Sequence, residues 1–181
     1  MSRILIKDLD SHIGKEVTLA GWIDTRRDHG KIIFIDLRDF SGLVQTVIIP
    51  KEEVAYKTAG DARSEWVVEL KGTVNKRPEK MVNPDIPTGD IELYVTGFSV
   101  ITKAETPPFD IAGGGHEINE ELRLIYRYLD LRRPRLAKNL RKRHMFIKAI
   151  RDYLSARDFV EIETPILTKS TPEGARDYIV P

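Results

Sequence analysis

The stretch from residue 21 to 45, GWIDTRRDHGKIIFIDLRDFSGLVQ, most constrains what this chain can fold into. Within it Ile33, Ile35 and Leu37 alternate with Phe34, Asp36 and Arg38. Alternation at period two predicts a β-strand with one face on a core and the other turned outward. Phe34 then shares the outward face with a carboxylate and a guanidinium. Arg26 and Arg27 precede it on an expected basic turn. An aromatic amid such polar groups has the composition of a platform on which an unstacked base can lie. An ordinary surface phenylalanine is the other reading, and this stretch alone leaves both open.

The flanking sequence spells four more strands. After a short lead-in over 3–14, strands are expected over 15–24, 31–38, 43–49, 65–75 and 90–102. Asp28-His29-Gly30 is a hairpin turn, because glycine accepts a positive φ cheaply. Phe40-Ser41-Gly42 makes the next turn, and Pro50 closes the third strand, since proline cannot continue a ladder. Residues 51–63 read as a helix with Val54, Tyr56, Ala59 and Ala62 as candidate buried positions. Residues 76–89 carry Pro78, Pro84 and Pro87 and read as an exposed loop. Five strands with a helix between the third and fourth is the order of an OB-fold barrel, which binds oligonucleotides on strands two and three. Phe34 falls on that face, and Arg26, Arg27, Lys76, Arg77 and Lys80 fall at its edges. Any one of these cations alone reads as solvated loop charge; their convergence on an exposed aromatic favours single-stranded nucleic acid.

Bulk composition narrows little. Lys and Arg number 29 against 28 Asp and Glu, so total charge says nothing about a nucleic-acid partner. At 181 residues the chain suits one or two domains. The absence of cysteine excludes disulfides and thiolate zinc sites, and fits a reducing compartment. No apolar run approaches the ~20 residues a membrane span needs, and the N-terminus lacks the apolar core of a signal peptide.

Beyond the strands the character changes. Residues 103–118, with two adjacent prolines and Gly113-Gly114-Gly115, read as a linker. The triple glycine is not a phosphate loop, having no strand-to-helix context and no following Lys-Ser/Thr. A short helical segment is expected over 117–131. Residues 132–151 hold nine Lys/Arg and no acid. Pro134 suits a first helical position. Leu136, Leu140, Ile147, Ile150 and Leu154 put one face of that helix apolar and the other basic. The basic face is either simply solvated or turned to RNA phosphate or an acidic partner. From Phe159 a strand is expected, with Pro165 at an edge or bend and a surface suited to dimerisation.

The last stretch, FVEIETPILTKSTPEGARDYIVP over 159–181, resembles motif 1 of class II aminoacyl-tRNA synthetases. More narrowly it is similar to the bacterial type of aspartyl-tRNA synthetase, and YRYLDLRRP (126–134) and RRDHGKIIFIDLRD (26–39) resemble the same family. The likeness runs over residues 13–181. Lysyl and asparaginyl enzymes share the architecture, but TKSTPEGARDYIVP favours the aspartyl family.

The resemblance implies an all-β OB-fold barrel over 1–103 that binds the anticodon. It implies a linker and helical hinge over 104–133, then the first helix and strand of a class II α+β catalytic domain over 134–181. In that family the position of Phe34 stacks on an anticodon base. The positions of Arg27, Gln45 and Glu92 contact the anticodon loop, and the loop around Arg77–Lys80 lies beside it, which adds Arg77. The position of Glu173 recognises the L-aspartate substrate, and that of Pro165 lies in the dimer interface. The positions of His29 and Lys80 are associated with whether the enzyme also charges asparagine tRNA. His29 has the permissive form and Lys80 the strict one, so the two point opposite ways. A neutral imidazole can donate or accept, and could tolerate both a C and a U as the last anticodon base.

The full-length enzyme is then expected to be a cytoplasmic homodimer. It attaches L-aspartate to tRNA(Asp), and on the His29 reading also to tRNA(Asn), using ATP and Mg²⁺ by way of aspartyl-adenylate. The sequence ends at Pro181, before the family's motifs 2 and 3. This stretch alone is therefore expected to hold no catalytic residue, ATP, Mg²⁺ or other metal, and to be inactive, most simply a piece of a longer enzyme. Two other readings compete: a self-sufficient RNA-binding OB module without catalysis, and a structural dimerisation module.

Overall fold

The structure is a computed structural model and describes residues 3–165. Glu173 lies outside the described residues, as do Ile166, Leu167 and the rest of the expected motif 1 strand. The chain divides into two compact units, Met1–Pro108 and Phe109–Pro181.

The first unit is a closed barrel of five strands in the order β1-β2-β3-β5-β4. Its strands are β1 (Glu16–His29), β2 (Ile32–Arg38), β3 (Leu43–Ile48), β4 (Val67–Lys76) and β5 (Ile91–Thr102), with helix α1 (Glu53–Asp61) between β3 and β4. All neighbours pair antiparallel except β3 and β5, which are parallel. The five-strand expectation therefore holds, and so does the inward assignment on β2. Ile33, Ile35 and Leu37 are buried, while Phe34, Asp36 and Arg38 are only partly so. Each of the three apolar side chains contributes about 1.5–3 kcal/mol by leaving water.

Four expectations change. First, β1 runs on to His29, so Arg26 and Arg27 lie in the strand rather than in a turn. The ladder continues with Arg26 opposite Ile35 and Arg27 opposite Phe34, leaving only Gly30-Lys31 to reverse the chain. Gly30 adopts φ +69°, which a two-residue hairpin demands of its first central residue. Second, Val54 is exposed; Ala55, Ala59 and Ala62 take the inward line at spacings of four and three. Third, the lead-in contains a 3-10 helix, Ile6–His12, that buries Ile6 and Leu9 in the barrel core. Asp39 fastens it, accepting the Ile6 N–H through Oδ2 at 3.0 Å while Oδ1 takes the Ser41 and Gly42 N–H groups. Fourth, the start of the expected linker is tied back to the barrel: Trp66 Nε1 donates to the Ala104 carbonyl at 3.2 Å and Lys103 lies over the indole at 5.0 Å.

The second unit contains α2 (Glu120–Ile125), α3 (Arg127–Asp130) and α4 (Pro134–Ser155). Asn119 caps α2 by accepting the N–H groups of Glu121 and Leu122. Pro134 opens α4 as expected. The unit is organised around Asp130, whose carboxylate is fully buried and accepts from Arg123 Nε, Arg127 Nη1 and Arg133 Nε at 3.3, 2.9 and 2.8 Å. Burial pushes the Asp130 carboxyl up, but the hydrogen bonds from Arg133 and Arg123 outweigh it and hold the group below its ordinary value.

The glycine run has a packing role that a linker reading misses. Arg133 Nη1 donates to the Gly113 carbonyl and Arg123 Nη1 to that of Gly115. A Cβ on Gly115 would come within 2.6 Å of Arg133 Nε, and its φ is +77°. The run is a backbone cradle around a buried guanidinium. The strand expected from Phe159 is not formed among the described residues: 159–165 have no strand partner there, and an extended segment becomes a strand only by pairing.

Candidate nucleic-acid interface

The outward face of β1, β2, β3 and β5 carries the site. Pairing places Arg27 opposite Phe34, Phe34 opposite Val47, and Asp36 opposite Gln45. Because the side-chain period is two, Arg27 and His29 on β1, Ile32, Phe34 and Asp36 on β2, Gln45 and Val47 on β3 and Glu92 on β5 all face the same way. Arg77, just after β4, closes the other side. These residues, with Met81, line a cleft of about 660 Å³; Asp36 sits behind its wall.

The polar groups form one chain of contacts. Arg27 Nη2 donates to both Asp36 oxygens at 2.8 and 3.0 Å and to Gln45 Oε1 at 3.3 Å. Gln45 Nε2 donates to Glu92 Oε2 at 3.2 Å. Arg77 Nε lies 3.8 Å from the same Glu92 oxygen, close enough for charge attraction but beyond a hydrogen bond. That Nε is buried without a hydrogen-bond partner, while Arg77 Nη1 reaches the Gly89 carbonyl at 3.3 Å. Burial pushes the Asp36 carboxyl above its ordinary range; Arg27 and Arg77 pull it down and Asp24 pushes it further up. The His29 ring meets Phe34 edge-on, with centroids 5.7 Å apart. A flat aromatic stop, an apolar floor from Ile32 and Val47, and donors and acceptors around them can hold one unstacked base and pair with its edge.

The fold thus gathers Arg27, His29, Phe34, Gln45, Arg77 and Glu92 in one cleft. Lys80 does not line it; it sits on a short 3-10 turn, Glu79–Met81, and is exposed. Arg26, expected at the groove edge, points elsewhere, its Nε donating to the Ala59 carbonyl of α1 and its Nη2 pairing with Asp28. Alternation along β1 makes neighbours 26 and 27 diverge. Sequence reasoning missed Met81, Ile32 and Val47. Val47 and Ile32 were readable from strand parity once the register was known; Met81 carried no signal. Pro165 is described and exposed.

Comparison with known proteins bears on both units. Residues 17–101 match the model of the OB-fold nucleic acid binding domain, and residues 119–181 match that of the class II tRNA synthetases for D, K and N. The aspartate–tRNA(Asp/Asn) ligase of Halothermothrix orenii is 57% identical over 170 residues, 93% of this chain and 29% of that protein. The aspartate–tRNA ligase of Staphylococcus aureus is 53% identical over 173 residues, 95% of this chain and 29% of that one. The chain belongs to the class II aminoacyl-tRNA synthetases, in the aspartate family. Among solved structures, the asparaginyl-tRNA synthetase from Pyrococcus horikoshii, complexed with asparaginyl-adenylate, superposes with a TM-score of 0.79 at 28% identity. That match covers 97% of this chain and 39% of the other. The synthetase chain described here spans about 30% of the length of the curated relatives it matches. None of its described helices is long and apolar enough to cross a membrane.

Proposed function

We propose that this chain reads the tRNA anticodon and opens the catalytic domain of an aspartate–tRNA ligase. The observation that carries the proposal is the cleft itself: Phe34 with Arg27, Gln45, Arg77 and Glu92 around it, on the barrel face that OB-folds use for oligonucleotides. Phe34 stacks on a base, and the amide and carboxylate of Gln45 and Glu92 pair with base edges. The whole enzyme, in the cytoplasm, joins L-aspartate to tRNA(Asp) through aspartyl-adenylate, consuming ATP with Mg²⁺. Among the described residues no cluster of acids and histidines could hold a metal ion. ATP and Mg²⁺ serve the whole enzyme, and Glu173 binds the aspartate ammonium.

The name of the Halothermothrix relative, together with His29 at the cleft, supports charging of tRNA(Asn) as well. Leu140, Ile150, Leu154, Phe159, Val160 and Ile162 are exposed on α4 and the segment after it, which supports a homodimer with Pro165 at its interface. A free-standing RNA-binding module is not favoured, because the match to synthetases continues past the barrel through residues 119–181. The test is the full-length enzyme. ATP–pyrophosphate exchange should depend on aspartate and not on asparagine or lysine, and transcripts of both tRNAs should be charged. Absence of aspartate-dependent exchange overturns the proposal.

A further inference from the structure

One acid behind the cleft wall has no assigned part in base reading. Asp36 lies behind Arg27, its side chain 15% exposed against 45% for Arg27. It touches the guanidinium at one nitrogen only. Nη2 carries two hydrogens and meets three acceptors, the two Asp36 oxygens and Gln45 Oε1. Nη2 is therefore saturated, and among the described residues no hydrogen bond engages the Nε and Nη1 donors. Gln45 is wedged between a group that can only donate, Arg27, and one that can only accept, Glu92. Its amide therefore has a single orientation, with oxygen toward Arg27 and nitrogen toward Glu92. Charge in the cleft also balances: Arg27 and Arg77 against Asp36 and Glu92.

We propose that Asp36 is a positioning residue that makes this cleft a selective reader rather than a general binder of RNA anions. Tethered at one end, Arg27 presents fixed donors to a base edge. Untethered, it is a mobile cation that any phosphate can recruit. The inference rests on the anticodon-reading assignment and deepens it by naming what sets selectivity.

The substitution Asp36→Asn keeps the side-chain shape and removes the charge. Burial already favours the neutral form of this carboxyl, so the variant is expected to fold. The whole 181-residue chain is titrated with two RNA stem-loops, one carrying the aspartate anticodon and one with those three bases scrambled, over a series of salt concentrations. Wild type should prefer the aspartate loop. Asp36→Asn should bind the scrambled loop more tightly and lose at least about fivefold of the preference, a share of one bidentate base contact. Its salt slope should steepen by about 0.7, one additional phosphate contact on a single strand. In an Arg27→Gln background, Asp36→Asn should change neither preference nor slope, which a merely structural role would not reproduce. Three results overturn the inference. An Asp36→Asn variant with wild-type preference and slope does so while leaving anticodon reading intact. An equal loss in the Arg27→Gln background does so by showing that Asp36 does not act through Arg27. A wild type with no preference between the loops overturns it together with the anticodon reading.

Discussion

Phe34 and His29 are the two residues on which base reading turns at the smallest scale. Phe34 is only partly buried and forms the aromatic wall of the cleft. Phe34→Ala should weaken binding of an aspartate anticodon stem-loop by about 1–3 kcal/mol, the worth of one stacked base. Fluorescence anisotropy with a labelled loop measures it, and unchanged affinity removes the platform assignment. His29 lies in the same cleft with its ring against Phe34. An imidazole able to donate or accept should distinguish stem-loops ending in C and in U by less than ~10-fold, or under ~1.4 kcal/mol. A preference for C above ~50-fold marks a strict reader instead. Much at this scale was legible. Phe34 declared itself because an aromatic broke an otherwise polar outward row. Asp36 was visible as its neighbour, but the Arg27 tether was not, because it depends on a cross-strand diagonal that only the register reveals. Met81 enters the cleft from a loop with no periodicity to read.

Elements were legible where a period governed them and obscure where backbone did the packing. β2 was plain from alternation, and α4 from its apolar spacing and Pro134. The continuation of β1 through Arg26 and Arg27 was hidden, since a run of charges reads as a turn until a partner strand is known. The Gly113–Gly115 cradle was hidden for a deeper reason: its contacts with Arg133 use carbonyl groups that every residue possesses. This gives Asp130 and Arg133, both fully buried, their weight in joining α2, α3 and the start of α4. Asp130→Asn removes the charge partner of a buried guanidinium and should cost about 3–5 kcal/mol. Urea unfolding followed by circular dichroism reads the loss. A change below ~1 kcal/mol, the worth of an exposed pair, shows that solvent already screens the cluster.

For the molecule as a whole, acid response follows from three carboxylates with opposite signs. Burial raises the Asp39 carboxyl, but hydrogen bonds from Ser41 and from the Ile6, Ser41 and Gly42 amides outweigh it and hold the group below 3.8. Asp130 is held below 3.8 as well. Their stabilisation is present above that ordinary value and is lost as pH falls through their folded values. Asp36 works the other way, because its folded value is raised. Its favourable contribution is present below 3.8 and is lost as pH rises through the folded value. The barrel's urea midpoint, followed by the fluorescence of Trp22 and Trp66, should therefore rise as pH falls from neutral toward 3.8 and then drop. Asp36→Asn should abolish the rise and keep the drop. A rise that survives in Asp36→Asn assigns it to another group.

The most direct measurement is an equilibrium titration of the 181-residue chain with an aspartate anticodon stem-loop and with the same stem carrying a scrambled loop. If the cleft around Phe34 reads the anticodon, the aspartate loop binds at least ~10-fold more tightly, a difference of ~1.4 kcal/mol. Equal affinity for the two loops contradicts it.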